Sequence, residues 1–177
     1  MAWNKKAKNR LHYYLSITLL LTGFLLNSCS VSYRFEGGTI NYDLIKTISI
    51  AEFPNRAALV NPLLSQMLDQ ELVDRFINQT RLRQVSNNGD IDITGEITGY
   101  NIVGVAVTED AYASRSKLTI TVRVNYENHK EPKLSVDRTF SAERETDTLD
   151  GGNEDALCQE ICKELVDMIY NETVASW

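Results

Sequence analysis

Residues 90–107 alternate apolar and polar side chains more strictly than any other stretch of the chain. A period of two over that length specifies a strand buried on one face and excludes an amphipathic helix, whose apolar positions recur every 3.6 residues. Ile91, Ile93, Ile97, Val103, Val105 and Val107 share one face, with Gly95 and Gly99 also on it. Asp90, Asp92, Thr94, Glu96 and Thr98 take the other. A strand this long is expected to bend or bulge at its glycines, Gly104 included. A second alternation follows the loop Thr108 to Ser116: Leu118, Ile120, Val122, Val124 and Tyr126 against Thr119, Thr121, Arg123 and Asn125. The turn Asn128 to Pro132 leads to a further strand over Lys133 to Glu145, helped by Leu134, Val136 and Phe140.

Around these strands the pattern changes. Leu44 to Phe53 is rich in β-branched residues and strand-like, and Pro54-Asn55 ends it. Asn61-Pro62 reads as an N-cap followed by proline at the first helical position. Leu64, Met67, Leu68, Leu72, Phe76 and Ile77 then line one helical face as far as Gln79. Arg81 to Gly89 is a loop closing in Asn87-Asn88-Gly89, good turn chemistry. After Gly151-Gly152, a helix is expected from about Asn153 to Asn171, with Leu157, Cys158, Ile161, Cys162, Leu165, Val166 and Ile169 on its apolar stripe. The order is β-α-β-β-β-α. A helix between the first two strands implies parallel pairing, and the short links that follow imply an antiparallel meander. The expected fold is α+β, two helices packed on one face of a four-stranded mixed sheet.

The N-terminal residues follow a different logic. Lys5, Lys6, Lys8 and Arg10 form a basic head, and Leu15 to Leu26 an apolar stretch broken only by Ser16, Thr18, Thr22 and Gly23. This is the layout of an export signal, and its apolar core is shorter than the roughly 20 residues of a spanning helix. Leu26-Asn27-Ser28-Cys29 resembles the lipobox of bacterial lipoproteins, in which the cysteine is acylated and becomes the new N-terminus. An ordinary secretory signal and an uncleaved anchor are the competing readings. The expected division is a lipoprotein signal peptide over 1–28, a lipidated lead over 29–42 and one domain over 43–177. Removing residues 1–28 leaves 149 residues, enough for one modest core. All 24 acidic residues follow Cys29 but only 14 of the 18 basic ones do, so the processed chain carries −10. That balance argues against nucleic-acid binding and against adhesion to anionic lipid through bulk charge.

Motifs of catalysis are missing from the sequence. It has no Gly-x-Ser-x-Gly elbow, phosphate loop, dinucleotide fingerprint or His-Glu-x-x-His. Behind Cys29, His129 is the only histidine, and it sits in a turn beside lysine and proline, where solvent exposure is the simpler reading. The carboxylates of Glu109, Asp110, Glu143, Glu145, Asp147 and Asp150 lie on loops and strand ends without an aromatic sugar platform. Cys158 and Cys162 are read first as packing residues, with an intrahelical disulfide as the alternative. No cysteine–histidine spacing suits a metal. The loop Ala111-Tyr112-Ala113-Ser114-Arg115-Ser116-Lys117 offers two cations and an aromatic among small residues. Arg115 and Lys117 suit phosphate groups, or are solvated charges at a strand edge. Arg123 lies on the polar face, and Arg81 and Arg83 read as charges favouring a helix C-terminus.

Tyr33-Arg34-Phe35-Glu36-Gly37-Gly38 behind the cysteine, a β-α-β-β-β-α domain, and the ending Asn171-Glu172-Thr173-Val174-Ala175-Ser176-Trp177 together resemble LptE. This is the lipopolysaccharide-assembly lipoprotein family, here in its Bacteroidetes form. The resemblance implies a protein that is not an enzyme and needs no cofactor. It implies an LptD-type outer-membrane β-barrel as partner, plugged from its periplasmic opening, and lipopolysaccharide as cargo. The loop around Tyr112 to Lys117 would point into the lumen, with Arg115 and Lys117 on lipopolysaccharide phosphates and Tyr112 and Ser114 on the partner. Ser30 in place of an aspartate, and the lack of an acidic run behind Cys29, fit the periplasmic face of the outer membrane. A periplasmic lipoprotein adaptor or activator of another envelope complex is the alternative.

Overall fold

The computed structural model describes residues 40–59, 61–105, 115–147 and 153–175, all within the compact unit Gly37–Trp177. The stretch expected as signal peptide, Cys29 and most of the expected lead therefore lie outside the described residues, as do Val107, Tyr112 and Ser114. Five strands are present: β1 (Thr47–Ile50), β2 (Arg83–Gln84), β3 (Ile91–Val105), β4 (Arg115–Asn128) and β5 (Val136–Thr146). Helix α1 (Leu64–Gln79) connects β1 to β2, and α2 (Glu154–Thr173) follows β5. The sheet order is β2-β1-β3-β4-β5. β1 pairs parallel with both β2 and β3, while β3, β4 and β5 form an antiparallel meander. The expected mixed sheet with its parallel β1–β3 pair is thus present.

The strand count needs correcting from four to five. Arg83–Gln84, in the stretch expected to be loop, runs parallel to Thr47–Ile48 at the sheet edge. Two exposed residues of no particular β-propensity leave no periodicity, so only tertiary pairing makes this a strand. The stretch expected as the first strand is regular only over Thr47–Ile50. Pro54 does not end its association with the sheet, because Asn55 bridges Ile97 in parallel and the Arg56 N–H donates to the Ile97 carbonyl at 2.8 Å. Lys133 and Leu134 belong to a 3-10 turn, Pro132–Leu134, rather than to β5. α1 is regular from Leu64. The N-cap position is Leu63, without a side-chain cap, so the expected cap at Asn61 is corrected: its Oδ1 accepts the Leu63 N–H at 2.9 Å in the turn that precedes the helix.

Both helices cover the same sheet face. Leu64, Leu68, Leu72 and Phe76 of α1 are fully buried, as are Cys158, Ile161, Cys162, Leu165 and Ile169 of α2. They meet Ile48, Ile91, Ile93, Ile97, Leu118, Ile120, Val122, Val124 and Tyr126 from the sheet. Each such side chain contributes about 1.5–3 kcal/mol by leaving water. Cys158 and Cys162 are buried and free, and burial pushes the Cys162 thiol up to about 12. The helices are joined where Phe76 meets Tyr170 edge to face, with Arg75 over the Tyr170 ring and bound to Asp167 at 3.1 Å.

β3 contains the largest departure from simple alternation. Its register with β4 shifts between Ile97 and Gly99, a bulge of the kind expected at the glycines. One extra residue reverses the side-chain parity beyond it. Tyr100 and Ile102 therefore pair with Ile120 and Leu118 on the helix-covered side, while Val103 pairs with Lys117 on the opposite face. The expectation that Val103 shares the face of Ile91 is corrected accordingly, while the side chain of Val105 lies outside the described residues.

Candidate functional site: the long hairpin and the uncovered sheet face

The face of the sheet opposite the helices bears no third layer among the described residues. Along β4 it presents Arg115, Lys117, Thr119, Thr121, Arg123 and Asn125, flanked by Asp92, Thr94 and Glu96 of β3 and by Asp137, Thr139, Ser141, Glu143 and Glu145 of β5. Antiparallel registry sets every cation of this row diagonally against an acid. Lys117 Nζ lies 3.1 Å from Glu143 Oε2, and Arg115 Nε donates to Asp147 Oδ1 at 2.9 Å. Arg115 also reaches Glu145 at 3.9 Å. Arg123 grips Asp137 with two nitrogens, at 2.9 and 3.2 Å, and holds its carboxyl below the usual carboxylate range. Between the ion pairs runs a neutral band in which the Thr121 and Ser141 hydroxyls are 3.1 Å apart.

Arg115 and Lys117, the sequence candidates for phosphate, therefore stand on this open face at the hairpin end, each already engaged with a carboxylate. Arg115, Glu145, Thr146 and Asp147 line an open polar recess of about 320 Å³ there. Exposed pairs of this kind are worth about 0–1 kcal/mol, so a phosphate could replace a carboxylate without large loss. Tyr112 and Ser114 lie outside the described residues. Arg81 does not sit in the last turn of α1 as expected, but over the Tyr42 ring at 5.6 Å. His129 keeps one side open to solvent. Its Nε2 is 2.8 Å from Asp92 Oδ2, which raises its pKa.

Two polar nodes, not singled out from the sequence, hold this hairpin in place. At its base the Asp90 carboxylate accepts the Lys46 and Thr47 N–H groups and the Thr47 hydroxyl, all within 3.0 Å, and pairs with Lys130. These bonds, the Lys46 N–H first, hold Asp90 well below the ordinary carboxylate range. Farther along, Glu154 Oε1 accepts the Tyr100 hydroxyl at 2.5 Å and the Asn61 amide at 3.3 Å, with Cys158 Sγ 3.6 Å from the same hydroxyl. Strand β3, the lead into α1 and the start of α2 thus meet at one point. No sequence signal joins residues 61, 100 and 154, which only the fold brings together.

Among the described residues no group of three or more His, Cys, Asp or Glu side chains could hold a metal, and no helix is long and apolar enough to cross a membrane. The site offers a pre-neutralised polar face and a stiff paired hairpin rather than an assembled nucleophile, base or ligand set.

Comparison with known proteins bears on what such a surface serves. The family model LptE, described as lipopolysaccharide-assembly, matches residues 45–173. No curated protein matches. Among solved structures, a hypothetical protein from Chlamydia trachomatis is 11% identical, with a TM-score of 0.51 over 73% of this chain and 98% of its own. A minor lipoprotein from Acinetobacter baumannii is 17% identical, with a TM-score of 0.47 over 72% and 91% of the two chains. An uncharacterized lipoprotein B from Nitrosomonas europaea is 16% identical, with a TM-score of 0.47 over 71% and 79%. The chlamydial likeness supports the fold alone. The family match spans the domain from before β1 through the last residue of α2, and on it the chain belongs to the LptE family of non-enzymatic, lipopolysaccharide-assembly lipoproteins.

Proposed function

We propose that this chain is an outer-membrane lipoprotein, held by acyl chains on Cys29, that partners and plugs an LptD-type β-barrel at its periplasmic opening during lipopolysaccharide assembly. The observation that carries this reading is the family match over residues 45–173. Several physical features support it. Ten residues lie between Cys29 and Ile40, where the described chain begins, and such a lead spans at most about 40 Å. An acylated Cys29 would therefore keep the domain beside the bilayer. Several acyl chains make that attachment stable, since each buried methylene is worth about 0.8 kcal/mol. A sheet face of hydroxyls and mutually neutralised ion pairs suits the polar interior of a barrel. The charge of −10 behind the signal favours a protein partner over general capture of an anionic glycolipid.

Purification of the acylated protein from membranes is expected to recover a β-barrel at near one-to-one ratio. Failure to recover one would overturn this reading. Within it, Arg115 and Lys117 meet lipopolysaccharide phosphates locally by exchanging their carboxylate partners, while Tyr112 and Ser114 face the barrel. Arg115→Glu combined with Lys117→Glu is expected to weaken lipopolysaccharide binding about tenfold with an unchanged melting temperature. Unaltered binding would remove both residues from the contact.

A further inference from the structure

Most cations among the described residues are paired with a carboxylate; three that are not, Lys46, Arg81 and Arg83, belong to two adjoining segments. The Arg83 N–H donates to the Lys46 carbonyl at 2.9 Å, where β2 joins β1. Arg81 lies over the Tyr42 ring at 5.6 Å, and Tyr42 packs against the core. Between Tyr42 and Lys46 the chain makes a turn in which the Leu44 and Ile45 N–H groups donate to the Asn41 carbonyl. Leu44 in that turn is 54% exposed. An aromatic platform, an exposed leucine and three exposed cations thus stand together where the described chain begins.

We propose that this end, formed by Tyr42, Leu44, Lys46, Arg81 and Arg83, rests on the phospholipid leaflet that holds the anchor, with Leu44 among the headgroups and the three cations on anionic phosphates. The inference rests on the acylation of Cys29 proposed above. The acids nearby do not cancel the patch. Asp43, beside Leu44, has no ion pair among the described residues and is the one carboxylate of this turn. Asp90, next to Lys46, is taken up by Lys130 and by the Lys46 and Thr47 N–H groups. Asp74 stands more than a turn up α1 from its end. Across the sheet, Glu127 and Glu131 face His129, Lys130 and Lys133 around the β4–β5 turn, which is close to balance. The last carbonyls of α1 also favour a cation here, which gives Arg81 a local reason but leaves Leu44, Lys46 and Arg83 without one. Three cations do not offset a charge of −10, and the free chain would not stay on such a surface. The tether changes this. The lead enters the domain at this turn, so the contact becomes intramolecular, and a weak site is filled at the raised local concentration. Arginine and lysine stems lie along an interface with their heads at the phosphates, and tyrosine is enriched at the same depth. A protein partner would gain nothing from the tether's place of entry, whereas the anchoring leaflet is brought to this end by it.

The test reconstitutes the full acylated chain into vesicles of phosphatidylcholine mixed with phosphatidylglycerol and brominated near the headgroup. A fluorescent amino acid replaces Leu44 or, as control, Leu63 at the start of α1, the opposite end of the domain. Quenching by the brominated lipid is expected to be at least about fivefold greater at position 44 than at position 63. It should fall to the control level in phosphatidylcholine alone, and in Lys46→Gln with Arg81→Gln and Arg83→Gln at an unchanged melting temperature. Raised sodium chloride should lower it in the parent chain, which gives the same reading without a substitution. Equal quenching at the two positions, with acyl groups found on Cys29 by mass spectrometry, would overturn the surface and leave the anchor standing. Quenching undiminished by the substitutions, by salt or by loss of the anionic lipid would overturn the recognition of phosphates. Quenching that appears only when lipopolysaccharide replaces phosphatidylglycerol would overturn phospholipid as the occupant. Absence of acyl groups on Cys29 would overturn the anchor and this orientation together, and the barrel reading would still stand or fall by co-purification.

Discussion

The Asp90 carboxylate gathers two backbone N–H groups, one hydroxyl and the Lys130 ammonium, while its own N–H donates back to Thr47 Oγ1 at 2.9 Å. Hydrogen bonds to a charged acceptor contribute more than neutral ones, and removing that acceptor leaves the part-buried Thr47 N–H and hydroxyl without it. Asp90→Ala is expected to lower unfolding stability by about 3 kcal/mol, measured in urea at pH 7. Its pH dependence follows from the depressed pKa. The unfolded carboxyl, with an ordinary value near 3.8, takes up its proton first as acid is added, so the contribution is complete above that value and is lost as pH falls toward the folded one. The variant should accordingly show a shallower loss of stability below about pH 5 than the parent. An unchanged acid slope would mean that the carboxylate is not the group that holds β1 against β3. His129 works in the opposite sense: its pKa is raised by Asp92, so its contribution is present below its ordinary value near 6.5 and lost as pH rises through the folded one.

At the scale of elements, β3 shows where periodicity informs and where it stops. The alternation from Ile91 to Ile97 predicts the buried face correctly, because a strand covered on one side leaves no other choice. A bulge was expected from the glycines, but its position determines everything after it. Placed between Ile97 and Gly99, it exchanges the faces of Tyr100, Ile102 and Val103. Both parities there are partly apolar, so composition alone could not decide between them. Gly95 has a separate reason to lack a side chain: an added Cβ would come within 2.3 Å of both the Arg123 carbonyl and the Phe53 ring. Likewise β2 left no trace in the sequence, and Asn61, Tyr100 and Glu154 meet only through tertiary packing. The two faces of β3 predict a contrast. Ile97→Thr, in the core, should cost about 2 kcal/mol through the buried hydroxyl, and Val103→Thr, on the open face, less than about 0.5 kcal/mol. Chemical denaturation of both would decide this, and equal losses would refute the reversed parity.

For the molecule as a whole, charge is unevenly distributed between its layers. The helices hold Asp69, Glu71, Asp74, Glu154, Asp155, Glu160, Glu164, Asp167 and Glu172 against Arg75 and Lys163. The outer sheet face keeps each β4 cation beside an acid of β5 or of the residue that follows it. Among the described residues no side of the domain thus offers an extended basic field, and the contact suggested for Arg115 and Lys117 is local, formed against long-range repulsion. Salt separates the two contributions. The screening length falls from about 30 Å at 0.01 M to about 10 Å at 0.1 M, which removes most of the repulsion between the domain and an anionic aggregate but little of a contact at hydrogen-bond distance. Binding of the full processed chain to lipopolysaccharide is therefore expected to stay level or to tighten as sodium chloride rises over that range. A basic capture site would do the reverse, weakening steeply through loss of its ionic attraction. Titration at the two salt concentrations reads the sign directly. Affinity that drops severalfold at the higher salt would mean that the cations dominate, and the preference for a barrel partner over glycolipid capture would lose its electrostatic basis.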